Sequence, residues 1–147
     1  MPEEPPLRNL ITINPLSLIF GVLSLEYEHA FGDRVSLAVG PDLLLFNSDV
    51  RAYGVSAALR LFVTGAAPAG FWMGPNTSVV AASAEGATGF GYEIGAQLGY
   101  TWIWGVFALS IGGGVRYQDI TVRDGGGVVA GASGVLPSLR FSLGFGF

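Results

Sequence analysis

The chain has 147 residues, half of them apolar and only 12% charged, with a formal charge of −4, no Cys and one His. This length supports one domain, the negative balance speaks against nucleic acid as a partner, and the missing thiols exclude disulfides and thiolate metal sites. Mean hydropathy of +0.52 points to a membrane, yet Glu, Asp, Arg, Gly or Pro breaks every apolar run before the ~20 residues that a spanning helix needs, and a bilayer then accepts only a closed β-sheet.

In chain order, "MPEEPPLRNL" lacks the basic and apolar regions of a secretory signal. It reads as the start of a mature form behind an added Met1, with residues 1–6 a disordered or periplasmic tail. A first strand is expected near Leu7–Asn14, and "NPLSLIFG" after it is either a loop or part of a bent strand. Alternation then predicts strands at Val22–Phe31, Arg34–Phe46, Arg51–Val63, Phe71–Ser83, Phe90–Ile103, Val106–Gln118 and Val135–Phe147. The clearest is "FGYEIGAQLGYTW", where Phe90, Tyr92, Ile94, Ala96, Leu98, Tyr100 and Trp102 share one face and Gly, Glu, Gln and Thr share the other. Soluble strands alternate too, but segments of ten to thirteen residues have the length that crosses a membrane when tilted.

Eight strands return both termini to one side, as in bacterial single-chain barrels. The expected fold is therefore all-β: an eight-stranded antiparallel up-and-down barrel. Gly32-Asp33 and Trp104-Gly105 read as tight hairpin turns, whereas Asp119–Gly134, polar and Gly-rich, reads as a long loop on the far side. Pro41, Pro75 and Pro137 fall inside strands, where bulges are expected.

Aromatic residues should gather in two belts at headgroup level. The termini side collects Phe31, Phe62, Phe71, Trp72, Trp102, Trp104, Phe107, Phe145 and Phe147; the other side collects Phe46, Tyr53, Phe90, Tyr92 and Tyr117. A soluble lipocalin-like barrel would invert this polarity and carry its apolar residues inside.

The closing stretch "SLRFSLGFGF" resembles the terminal signal of bacterial outer-membrane proteins, with Phe147 and Phe145 at its apolar positions, Arg140 at its polar one, and Ser142 where Gly is usual. Nearly the whole chain is similar in layout to the small eight-stranded barrels of the OmpA/OmpX type. The stretch "NLITINPL…SLEYEHAFGDRVSLAVGP" is similar to a bacterial outer-membrane family of unknown function. The resemblance implies an outer-membrane location, a lipid bilayer around the barrel and recognition of Phe147 by the barrel-assembly machinery, and it brings no cofactor.

Inward parity collects Glu26, Glu28, Asp42 and Glu93 with Arg60, Arg116 and Arg140, together with Asn76, Gln97 and Gln118. Asp42, Glu93 and Arg116 form an upper layer; Glu26, Glu28, Arg60 and Arg140 form a lower one. With Trp104-Gly105 as the turn, Glu93 and Arg116 should lie directly opposite each other. This arrangement reads first as a self-paired polar plug, and second as the lining of a narrow conduit, or as binding or lateral passage of small apolar molecules. Some barrels of similar layout are lipid A acyl-modifying enzymes with a His near the external face, but His29 falls at the termini end on the outward parity. "DGGGVVAGASG" lacks the Lys and the following helix of a phosphate loop. The expectation is a structural or surface-interaction protein without catalytic, cofactor or metal residues.

Overall fold

The computed structural model describes residues 7–44, 50–84, 87–124 and 127–147; the expected tail 1–6 and Phe46 lie outside them. Eight strands follow one another in an antiparallel up-and-down order and close into a barrel. They are β1 (Asn9–Ile13), β2 (Val22–Ala30), β3 (Val35–Leu44), β4 (Val50–Phe62), β5 (Gly70–Ala84), β6 (Ala87–Trp104), β7 (Phe107–Asp124) and β8 (Gly127–Gly146).

Register fixes the barrel's geometry. From Leu10 the partners run through Glu28, Ala38, Ala58, Asn76, Gly95 and Arg116 to Leu136, while the direct partner of Leu10 on β8 is Gly146. Circling the barrel therefore climbs ten residues of β8, from 146 to 136. Eight strands with that stagger tilt by roughly 40° and leave an interior that side chains can fill.

Three expectations are corrected. "NPLSLIFG" is neither loop nor strand: Pro15–Ile19 form a short helix, α1. Asn14 caps it by accepting hydrogen bonds from the backbone N–H groups of Leu16 and Ser17 at 3.0 and 3.3 Å, and Pro15 at N1 has no N–H to leave unpaired. Asp119–Gly134 is not a long loop. β7 and β8 stay paired from Asp119↔Ser133 to Asp124↔Gly127, with one register shift at Val122/Arg123. The backbone ladder there needs no apolar alternation to form.

The prolines, third, do not produce bulges. At Pro41 the β2–β3 ladder loses two pairs and resumes in register after Ser24↔Asp42. At Pro75 the β4–β5 ladder likewise skips from Ala58↔Asn76 to Leu61↔Met73. Pro137 interrupts nothing on its β7 side, where Val115↔Pro137 sits within a continuous ladder.

Strand length rises around the wall from five residues in β1 to twenty in β8. β8 pairs with β1 only from Leu143 to Gly146. Above that, among the described residues, no strand lies on its β1 side.

Candidate functional site

The polar and charged residues that parity assigned to the interior do line it or lie buried there, and the lower layer is an ion-pair network. The Arg60 guanidinium is 2% exposed. Its NH1 and NH2 donate to Glu26 at 3.0 and 3.1 Å, and NH1 also donates to Glu28. Glu26 accepts two more bonds from Arg140 at 3.0 and 2.8 Å, while Glu28 accepts from the Ser36 hydroxyl at 2.6 Å. Glu26 is thus doubly paired, whereas among the described residues Arg60 is the one cation in ion-pair contact with Glu28. Two carboxylates against two guanidiniums balance, as buried charge requires.

Trp72 completes this layer, and placing it in an outer belt is wrong. Even parity on β5 turns it inward, where it is 1% exposed. Arg60 and Arg140 lie over its ring at 5.0 and 5.9 Å, and its indole N–H donates to Thr101 Oγ1 at 3.1 Å. Thr101 in turn donates to Ser110 Oγ, which also accepts from Arg140 Nε, each at 3.1 Å. Glycines make the room: a Cβ on Gly99 would stand 2.7 Å from the indole. The signal was in the sequence, since Phe71 and Met73 occupy the outward parity on either side.

Phe62 is also buried, not part of a belt. It packs with Ala30, Ala67 and Trp72 beneath the charges. The β4–β5 connection carries Ala67 under the barrel, where its N–H donates to Asp33 O at 2.9 Å. The lumen is therefore floored at the end that holds the termini.

In the upper layer, Glu93 and Arg116 are not directly opposite. Trp104 pairs with Phe107, so the two turn residues are Gly105 and Val106, and the register moves by two: Glu93 faces Gln118, and Arg116 faces Gly95. Gly105 has φ +63°, the left-handed value a two-residue hairpin demands at its first position. The charges still meet diagonally, with Arg116 NH1 at 3.5 Å from Glu93 Oε2, both partly exposed. Gln97 donates to Ser138 Oγ at 3.0 Å. Asp42 stands opposite Ser24 across β2 and β3 and lines the lumen with Glu93 and Arg116. Between the two layers lies a cavity of about 300 Å³ lined mostly by hydroxyl, amide and charged side chains.

The outer face is apolar. Leu98 is 53% exposed, and Phe31, Tyr53, Phe90, Tyr92, Trp102, Trp104, Phe107, Tyr117, Phe145 and Phe147 all face outward and are exposed. His29 also lies outside, its Nδ1 2.8 Å from Asn9 Oδ1 and its ring edge-on to Phe31. Ser24 points into the lumen and cannot reach it. No protein-family model, curated protein or solved structure matches the chain.

Proposed function

We propose that the chain is an integral barrel of a bacterial outer membrane, with a structural or surface-interaction role and no catalytic activity. One observation carries the reading: the outer wall bears two tiers of aromatic side chains at a constant separation. Trp102 and Tyr92 on β6 are ten residues apart and both outward, as are Phe107 and Tyr117 on β7. Ten residues of a strand tilted by roughly 40° rise about 25 Å, the height of the apolar band of such barrels. Between the tiers the outward residues are Ile94, Ala96, Leu98 and Tyr100 on β6, and Leu109, Ile111, Gly113 and Val115 on β7. A soluble barrel would expose this apolar belt to water.

The sealed floor favours a non-conducting barrel over a conduit, and the polar lining makes a pathway for apolar molecules through the lumen a poor fit. Recognition by the barrel-assembly machinery through the outward Phe145 and Phe147 belongs to the same proposal. Refolding into detergent tests the proposal. The expected result is a heat-modifiable species that migrates differently on a gel before and after boiling; a protein that folds and stays monomeric without detergent would refute it.

A further inference from the structure

The cavity between the two charge layers is walled by the whole barrel. Every strand and α1 send at least one polar side chain to it, from Thr12 on β1 to Ser138 on β8. With Phe62, Ala67 and Trp72 flooring the lower end, it is a cup, half open and not sealed. Solvent reaches its upper layer, where the Glu93 and Arg116 side chains are 33% and 38% exposed.

Lining and volume limit what fits. Apolar side chains supply little of the wall, so a hydrocarbon ligand would strip water from hydroxyls and amides without replacing their hydrogen bonds. The volume, about 300 Å³, stands at the lower end of small-molecule pockets. It suits one ring, not two joined ones.

The uncommitted hydrogen-bonding groups narrow the choice further. Among the described residues the Thr12 hydroxyl and the Nε–H groups of Arg60 and Arg116 have no partner, although Thr12 and Arg60 are only 4% and 2% exposed. Asp42, opposite Ser24 across β2 and β3, makes no ion pair among those residues. The wall thus offers donors and an acceptor together. An ammonium-type cation brings donors only and leaves the guanidinium N–H groups unmet. An anion accepts, but the described interior already sets Glu26, Glu28, Asp42 and Glu93 against three arginines, so a further negative charge finds no counterion. A neutral polyol carries donor and acceptor on every hydroxyl.

We infer that this cup is a binding site for a neutral polyhydroxylated molecule of one sugar ring, with Asp42 accepting from its hydroxyls and Arg116 donating to them near the mouth. The lower layer stays closed beneath the ring, because Arg60 and Arg140 are already committed to the glutamates. The inner wall keeps this chemistry whatever surrounds the outer one.

Glucose is the probe, titrated into the isotope-labelled protein in dodecylphosphocholine micelles, whose headgroup is not a sugar. If the chain folds without detergent, the same titration runs in buffer with the same expected outcome. Saturable NMR shifts are expected at the amides of Thr12, Ser24, Asp42 and Ser138, with Leu98 and Leu109 on the outer wall unmoved. Sucrose, glucuronate and ethylammonium should each bind at least tenfold more weakly, for size, for charge and for want of acceptors in turn. Asp42→Asn, which keeps shape, should weaken glucose at least fivefold. Thr12→Val should weaken it at least threefold without lowering the midpoint of urea unfolding, because the hydroxyl it removes satisfies no group of the fold. Ser56→Leu, which fills the cup from β4, should abolish the shifts while the spectrum stays folded; where it does not fold, Asp42→Asn decides. No saturable shift with glucose would leave the cup to water and overturn the proposal. Ethylammonium or glucuronate binding as tightly as glucose would overturn the neutral polyol, sucrose binding as tightly would overturn the single ring, and shifts spread equally over Leu98 and Leu109 would refute a site in the lumen.

Discussion

Replacing Arg60 by Met removes the one cation in ion-pair contact with Glu28 among the described residues. Glu26 keeps both bonds from Arg140, but Glu28, 3% exposed, keeps only the neutral Ser36 hydroxyl. Removing one partner of a buried pair costs about 3–5 kcal/mol, because the remaining charge stays desolvated. Glu28→Gln alone leaves Arg60 with Glu26 and should cost about 1–3 kcal/mol, the range for a lost buried hydrogen bond. The double variant carries no orphaned charge, so its cost should fall below the sum of the two by about 2 kcal/mol. Urea unfolding in phosphatidylcholine vesicles measures all three. Additivity within about 0.5 kcal/mol would show that the two side chains are not coupled and would refute the network.

Arg140→Ala should cost less than Arg60→Met, about 1–3 kcal/mol, since Glu26 retains Arg60; the same unfolding curves rank the two. Leu98→Arg should destabilise by about 2–4 kcal/mol near the midplane of the belt, and Gln97→Arg, one residue on but inside, by clearly less. Equal costs would place the wrong face in lipid. Gly99→Ala forces the Trp72 ring to move and should cost about 1–3 kcal/mol with a changed near-ultraviolet circular dichroism signal. A Cβ at Gly134 meets nothing within 4 Å, so Gly134→Ala should leave that signal intact. Planar bilayers should show no stable single-channel steps, because Phe62, Ala67 and Trp72 floor the lumen.

Sequence alternation carried the barrel and its inner charge set because parity needs only a period of two. It also placed the two charge layers, since height along a strand follows residue number. What it missed were features decided between strands. One slipped turn residue at Val106 separated Glu93 from Arg116 in register, yet the two still meet, because long side chains span a diagonal. The helix α1 left a trace in Asn14-Pro15, a cap followed by a first-turn proline, too short a signal to outweigh the surrounding strand pattern. Glycine and serine at 119–134 resembled a loop because their side chains carry no apolar period, whereas the ladder there is made by backbone. Arg60 as hub, shared by two glutamates, was not legible: parity gives a face, and only register and tilt say which side chains touch.

The central claim is that the outward parity meets hydrocarbon. The chain has no Cys, so a single cysteine at Leu98 can carry a nitroxide label without competing sites. Electron paramagnetic resonance of that label in phosphatidylcholine vesicles should show high collision rates with dissolved oxygen and low rates with a water-soluble nickel chelate. The reverse ratio, nickel above oxygen, would place Leu98 in water and contradict the account.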